Sequence, residues 1–342
     1  MQVVLTTLLI GVVGAVLAWV IGAPAPFLTG PAALVSLAGV FGVTCRIPTA
    51  LRDACFLLIG ITLGSSVTPE VLSAARAWPI SLIGMCAGVA VIMYAGSVMF
   101  QRVFGFDRNT ALLASSPGHL SYVLSFSTDI GANTAVISVI QSMRVLILTL
   151  MVPILIGLLT DADMTLQIRV GESLSLLHLG LLAAMSFIVG LVMLRLRVPA
   201  AFLLAGMICS GIGHSTGLTP GVVMQPLSIA AFVIMGTLIG TRFSGVTPGM
   251  LRHAAIGGFA LTFVGLLISF GVAILLSKLT GISTVDMLIG IAPGGLETMV
   301  AMGAILGADP AFVAIHHVMR LLFLSVYVPA VLALKRSGRR AR

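Results

Sequence analysis

Long apolar stretches, separated by short polar turns, run along almost the whole chain. Ten of them are 14 to 25 residues long and carry few charges, and two more are interrupted by Pro and Gly. A helix of about 20 apolar residues spans the hydrocarbon core of a bilayer, whereas barrel strands would alternate apolar and polar residues over about ten positions. The pattern predicts an all-α polytopic membrane protein.

The ten predicted transmembrane helices are 3–22, 26–45, 53–66, 79–101, 134–158, 174–194, 199–218, 226–241, 254–277 and 311–334. The two interrupted stretches, 110–128 and 286–304, each contain a Pro-Gly pair. Pro removes a backbone donor and Gly weakens a helix, so each of these stretches is expected to break near its middle. Non-helical backbone at membrane depth is tolerated where it is buried in protein or lines a wet cavity.

The sequence contains an internal duplication. A shift of 176 positions aligns 117–153 with 293–329 without a gap, and 12 of these 37 positions are identical. They include the Pro-Gly pair and the intramembrane residues Arg144 and Arg320, which are hard to match by chance in so apolar a chain. The predicted organisation is a first membrane repeat at 1–165, a connector at 166–173, a second repeat at 174–334 and a basic tail at 335–342.

The basic residues favour repeats of opposite orientation, because cytoplasmic segments carry an excess of Lys and Arg. If both interrupted stretches turn back, 13 Lys and Arg are cytoplasmic and 3 are outside; if both cross, the numbers are 11 and 5. The chain is therefore predicted to form two inverted repeats, each of five transmembrane helices and one re-entrant or broken helical hairpin. Both termini would be cytoplasmic and the connector periplasmic.

Composition narrows the function further. Only 8% of the residues are charged, against about 25% in soluble domains, which argues against a cytosolic enzyme or a DNA-binding module. Five of the 18 Lys and Arg lie in the tail, so the net charge of +8 indicates membrane orientation rather than a nucleic-acid partner. The four cysteines and six histidines show no metal-binding spacing, and no metal or other cofactor is predicted. No P-loop occurs.

Inverted repeats with interrupted segments at matching positions are typical of secondary transporters. Backbone N–H groups at the breaks can bind an anion, and Arg binds carboxylates through two parallel hydrogen bonds. The predicted substrate-binding residues are Ser115, Ser116, Pro117, Gly118, His119, Arg144, Pro293, Gly294, Gly295 and Arg320. Two alternatives stay open: the breaks are packing kinks, or the arginines form structural ion pairs, Arg144 with Asp129 and Arg320 with Glu297 or Asp309.

Three further residues distinguish the second repeat and are predicted to bind the coupling ion. They are Glu297, Asp309 and His317, which replace Ser121, Asn133 and Gln141 of the first repeat. Intramembrane carboxylates mark proton and ion pathways. Asp309 is also followed by Pro310, which suits a helix N-cap with Pro at the first helical position.

Five stretches form a recognisable pattern: 21–31, 60–64, 114–118, 291–299 and 317–320. Together they resemble the duplicated AbrB-type membrane family of Gram-negative bacteria, over both halves of the chain. The resemblance implies location in the inner membrane. The labels of that family imply an ammonia monooxygenase-like oxidoreductase or a regulator of gene expression, and both remain alternatives.

The residues themselves favour a non-enzymatic secondary transporter that works by alternating access within the lipid bilayer. Its predicted substrate is a small organic anion, moved with H⁺ or Na⁺. No nucleic-acid partner is expected, and a homo-oligomer is left open.

Overall fold

The structure, a computed structural model, describes residues 2–65, 78–117, 123, 126–128, 130–159, 173–246 and 248–340, with side chains except at 157–159, 248–254 and 333–340. Among these residues, seven helices are long and apolar enough to cross a membrane, and three shorter apolar helices accompany them. The chain is an all-α, multi-pass membrane protein, as its apolar pattern predicts.

The helices of the first repeat are α1 (Gln2–Val20), α2 (Pro26–Val40), α3 (Thr49–Gly64), α4 (Trp78–Arg102), α5 (Arg108–Ser115) and α6 (Thr134–Leu159). Those of the second repeat are α7 (Leu176–Arg195), α8 (Ala201–Ser215), α9 (Gln225–Gly240), α10 (Pro248–Thr280), α11 (Thr284–Ile291), α12 (Leu296–Ile305) and α13 (Pro310–Arg340). Each predicted span overlaps one of these helices, although the predicted spans 26–45 and 199–218 extend beyond Val40 and Ser215. The start of α10 lies before the predicted residue 254, because Pro248 is a favourable first residue of a helix.

The two repeats share their unusual backbone conformations. Ala25, just before α2, has a φ of 50°, and Ala200, just before α8, has a φ of 51°. Residues other than Gly rarely adopt a positive φ, so this match is specific. Four further pairs with positive φ are spaced by 175 or 176 residues: Gly22 and Arg197, Gly42 and Gly217, Gly105 and Gly281, and Gly131 and Gly307. The duplication in the sequence therefore extends to local structure.

Helices α1–α3 and α7–α9 form one group, the glycine bundle, in which helices of the first repeat pack against helices of the second. A Cβ at Gly60 of α3 would overlap the carbonyl oxygen of Leu203 on α8. At the equivalent position of the second repeat, a Cβ at Gly236 of α9 would overlap the carbonyl oxygen of Leu28 on α2. Small residues allow membrane helices to approach this closely. Each repeat thus completes the packing of the other.

Helices α4–α6 and α10–α13 form the second group, the broken-helix bundle, around the pair α4 and α10. A Cβ at Gly88 would lie 3.3 Å from Val272 Cγ2, and one at Gly96 would lie 2.6 Å from Leu261 Cδ1. The contact positions decrease along α10 as they increase along α4. The two equivalent helices are therefore antiparallel.

Candidate functional site

The interrupted segment of the second repeat breaks into two short helices. Helix α11 ends at Ile291 and α12 begins at Leu296. Pro293 has no N–H group to continue the helical ladder, and the Gly294 N–H donates to the Ala292 carbonyl oxygen at 2.8 Å. The turn at 292–295, called the second tip, lies between the C-terminus of one helix and the N-terminus of the next. The corresponding positions of the first repeat are 116–119, of which 116 and 117 are described; these two and the preceding Ser115 are called the first tip.

Both ends of each interrupted segment lie together. The Asp309 N–H, just before α13, donates to the Asp286 carboxylate near the start of α11 at 2.6 Å. In the first repeat, the Asn133 N–H donates to the Thr110 hydroxyl at 2.9 Å, and both positions are 176 residues earlier. Each segment therefore starts and finishes at neighbouring points.

Arg320 fastens the second tip to α13. Its guanidinium donates to the carbonyl oxygens of Ala292 at 2.7 Å and Gly294 at 2.5 Å, and the residue is 1% exposed. The one ion pair among the described residues is between Arg52 and Asp53. Arg320 thus does not form the ion pair with a carboxylate that was the alternative interpretation.

The first tip is fastened in the same register. Arg144, which is 3% exposed, donates to the Ser116 carbonyl oxygen at 3.0 Å. The Gln141 amide donates to the same oxygen at 2.7 Å and to the Leu113 carbonyl oxygen at 3.1 Å. Arg144 and its acceptor are 28 residues apart, as Arg320 and Ala292 are. Equivalent arginines therefore hold equivalent backbone groups.

In the second repeat, His317 occupies the position equivalent to Gln141 of the first repeat. Its Nε2 lies 3.0 Å from the Ile289 carbonyl oxygen, the position equivalent to Leu113. If Nε2 carries the hydrogen and donates, Nδ1 is an acceptor. This Nδ1 has no partner, although the His317 side chain is fully buried.

Polar atoms without a partner concentrate at the tips. Nine buried side-chain atoms in the described part of the chain have no hydrogen-bond partner, and five of them belong to a tip or to a residue that holds one. These five are Ser116 Oγ, Gln141 Oε1, Arg144 Nε, His317 Nδ1 and Arg320 Nε. Buried polar groups normally have partners, and an exception calls for an explanation such as water or a bound ion. The tips are therefore the strongest candidate for a binding site.

Both tips lie against the antiparallel pair α4 and α10. A Cβ at Gly96 of α4 would lie 2.8 Å from the Ser115 Oγ, and one at Gly265 of α10 would lie 3.4 Å from Pro293 Cγ. Gly96 also faces Leu261, which is about one helical turn from Gly265. The two tips thus approach the same region of the bundle from opposite repeats.

The predicted substrate-binding residues found at the tips or holding them are Ser115, Ser116, Pro117, Arg144, Pro293, Gly294, Gly295 and Arg320. Gly118 and His119 lie outside the described residues. The Ser115 hydroxyl donates within α5 to the Ala111 carbonyl oxygen at 2.7 Å, so this hydrogen atom is not free to bind a substrate.

The predicted coupling residues have different surroundings. The Asp309 carboxylate accepts from the N–H groups of Ala311 at 2.8 Å and Phe312 at 3.4 Å, which is the geometry of an N-cap. Glu297 lies half-buried in the first turn of α12 and is attracted electrostatically to Arg242. Glu297 therefore differs from Asp309, because the N-cap residue of α12 is Gly295 and not Glu297.

Residues 27–335, most of the chain, match a known family described as transition state regulatory protein AbrB. The chain belongs to the AbrB family. It is 29% identical over 293 residues to the uncharacterized protein YhjN of Bacillus subtilis (strain 168), covering 80% of this chain and 75% of that protein. It is 24% identical over 319 residues to the protein named "Putative regulator AbrB" of Escherichia coli (strain K12), covering 90% and 89%.

One residue at the site of this AbrB-family chain was missed by the sequence interpretation. Arg242 lies in a short 3₁₀ helix, Thr241–Phe243, directly after α9, and entered the charge count only as a residue at a membrane boundary. Its side chain is half-buried, is repelled by Arg144 and is attracted by Glu297. An Arg that follows an apolar helix is the usual sign of a boundary, so the sequence carried no signal for its place near the tips.

Proposed function

We propose that this AbrB-family protein is a secondary transporter that moves a small organic anion by alternating access. The observation that carries the proposal is the pair of tips, at equivalent positions of two repeats and each fastened by a buried arginine. Secondary transporters bind substrates where the interrupted helices of two repeats meet. Buried guanidinium groups favour an anionic substrate, because they bind carboxylates through two parallel hydrogen bonds.

The proposal includes insertion of the two repeats in opposite orientations, with both termini in the cytoplasm of a bacterial cell whose inner membrane holds the protein. It is supported by the antiparallel course of the equivalent helices α4 and α10 and by the 13-to-3 distribution of basic residues. The interrupted segments would then be re-entrant hairpins, which agrees with the neighbouring positions of their ends. Reporter fusions at residues 166 and 342 should report opposite sides; the same side for both would overturn this topology.

The two helix groups supply the parts that would move. The glycine bundle is packed through backbone contacts between the repeats, while the broken-helix bundle carries both tips. A displacement of one bundle against the other would expose the tips first to one side of the membrane and then to the other, which is how many repeat-built transporters work.

Glu297 is the carboxylate that we assign to the coupling ion, H⁺ or Na⁺. It is half-buried next to the second tip, whereas the Asp309 carboxylate is used as a helix cap. Because Arg242 attracts Glu297, a cation would compete with Arg242 for this carboxylate. His317 is assigned to the substrate instead, because its Nδ1 can accept a hydrogen bond.

Regulation of gene expression is the second candidate function, since the family description and the name of the E. coli relative both refer to regulators. A regulator could bind an anion at the tips without moving it. The oxidoreductase alternative receives no support from the described residues, in which no three His, Cys, Asp or Glu side chains are placed to hold one metal ion.

Uptake by purified protein in liposomes tests the proposal. With an inward H⁺ or Na⁺ gradient, the wild-type protein should accumulate at least one acid from a panel of labelled organic acids. Arg320→Lys keeps the charge but loses the planar fork, and it should lower uptake at least about tenfold in a folded protein. Arg52→Lys is the matched control, because a surface ion pair contributes little.

Folded wild-type protein that takes up no acid under either gradient would overturn the transporter proposal. Binding of an acid without uptake would favour the regulatory function instead.

A further inference from the structure

Among the described residues, the region between the tips carries positive charge without a full counter-charge; Asp129, the candidate partner of Arg144, lies outside the described residues. Arg144 and Arg320 are buried, and their hydrogen-bond partners among the described residues are carbonyl oxygens. Ser116 and Ala292 are the C-cap residues of their helices, so their carbonyl oxygens offset part of the positive charge but carry no full negative charge. The two guanidinium groups are also close enough to repel each other. Buried charges in proteins are normally paired, so two buried guanidinium groups without a carboxylate partner in the described part of the chain favour an anion as the ligand.

The other charged groups nearby leave this imbalance in place. Glu297 attracts Arg242, and this single carboxylate can offset only one of the three positive charges of Arg144, Arg242 and Arg320. Asp286 and Asp309 lie at the opposite end of the interrupted segment, where they make their own backbone hydrogen bonds. The described part of the centre therefore keeps two uncompensated positive charges, one from each repeat.

We infer that the substrate carries two separate anionic groups, as a dicarboxylate does, with Arg144 binding one and Arg320 the other. This inference rests on the proposed function, because it names the class of anion that the same site takes. The two arginines occupy equivalent positions, and Nε of each has no partner, so each repeat offers the same donor. A monoanion would pair with one guanidinium and leave the other uncompensated.

An isosteric charge series tests the number of anionic groups. Succinate, succinamate and succinamide have nearly the same shape and carry two, one and no negative charges near neutral pH. Titrated into the purified full-length protein, succinate should bind at least about tenfold more tightly than succinamate, because one charge-assisted contact is lost. Succinamide should bind more weakly still. Malonate and glutarate vary the separation of the two carboxylates, and sulfate and phosphate represent compact dianions.

Substitutions connect the preference to each repeat. Arg144→Gln and Arg320→Gln should each reduce the preference for succinate over succinamate to about twofold or less. Arg144→Lys should retain it, because the charge remains. Arg52→Gln, which alters only a surface ion pair, is the control. If a glutamine variant does not fold, the charge series on the wild-type and Arg144→Lys proteins still decides the question.

Three results would overturn this inference while leaving an observed transport activity intact: equal binding of succinate and succinamate, tighter binding of sulfate or phosphate than of every dicarboxylate, or no binding of any dicarboxylate. Tight and selective binding of succinate without uptake in liposomes would support the inference and overturn the proposed transport.

Discussion

At the first tip, the Ser116 carbonyl oxygen accepts hydrogen bonds from two side chains, those of Gln141 and Arg144. At the second tip, the single side chain of Arg320 donates to the carbonyl oxygens on both sides of Pro293. The arginines occupy equivalent positions at the two tips, but the number of side chains that donate to each carbonyl oxygen differs. A turn that is held by one guanidinium can be released by one competing anion, whereas a carbonyl held by two donors keeps the second when the first leaves.

The second tip also has the more varied chemistry. Glu297 lies two residues after this tip, and His317 replaces the amide of Gln141 with a ring whose Nδ1 has no partner. The two copies thus share their backbone arrangement but differ in the side chains around it. We expect the second tip to respond to substrate and ion, and the first tip to act as the more rigid half of the site.

The largest expected difference between the tips concerns their arginines. Arg320→Met leaves two buried carbonyl oxygens without their charged donor and should destabilise the protein by roughly 2–5 kcal/mol. Arg144→Met should cost less, roughly 1–3 kcal/mol, because the Ser116 carbonyl oxygen keeps Gln141 as a donor. Unfolding of the purified proteins in detergent measures both, with Arg52→Met as the surface control. Equal losses would show that the fastening of the two tips does not differ.

A smaller difference is expected between Gln141 and His317. Gln141→Leu removes the 2.7 Å hydrogen bond to the Ser116 carbonyl oxygen and should destabilise by roughly 1–2 kcal/mol. His317→Leu loses one bond to the Ile289 carbonyl oxygen but also removes an unpartnered Nδ1, so its cost should stay below about 1 kcal/mol. The same unfolding measurement compares them. A larger loss for His317→Leu than for Gln141→Leu would show that the hydrogen bond to the Ile289 carbonyl oxygen stabilises the protein more than the hydrogen bonds of Gln141 do.

The spans and the breaks could be predicted from the sequence because the bilayer imposes the pattern. A helix that crosses lipid must be apolar over a fixed length, and a Pro-Gly pair such as Pro293-Gly294 cannot continue a regular helix. The duplication then identified Arg144 and Arg320 as equivalent and pointed to the breaks as a site. These inferences needed no knowledge of which helices touch.

Contacts between distant side chains could not be predicted in the same way. One alternative paired Arg320 with a carboxylate, Glu297 or Asp309, but it donates to carbonyl groups 28 and 26 residues earlier. Which acceptor a long side chain reaches depends on how α13 packs against α11, and no periodicity records this. Gln141 entered only as the counterpart of His317, although an amide within an apolar helix was a signal that it binds backbone groups.

The smallest expected effect concerns the residues that directly precede α6 and α13. Asn133 and Asp309 are equivalent, and each accepts a backbone N–H: Asn133 from Val136 at 3.1 Å, and Asp309 from Ala311 at 2.8 Å. Asn and Asp are similarly good N-caps, so Asp309→Asn should change stability by less than about 0.5 kcal/mol, whereas Asp309→Ala should cost about 1 kcal/mol.

Uptake in liposomes then separates capping from ion coupling at the same residue. Asp309→Asn should transport like the wild-type protein, because the cap survives and Glu297 remains to bind the ion. Glu297→Gln should retain its fold but lose its response to the H⁺ or Na⁺ gradient, because a neutral amide cannot replace a carboxylate that binds a cation. If Asp309→Asn lost the response with unchanged stability while Glu297→Gln kept it, the coupling ion would bind near Asp286 and Asp309, where the two ends of the interrupted segment meet. It would then not bind at the second tip.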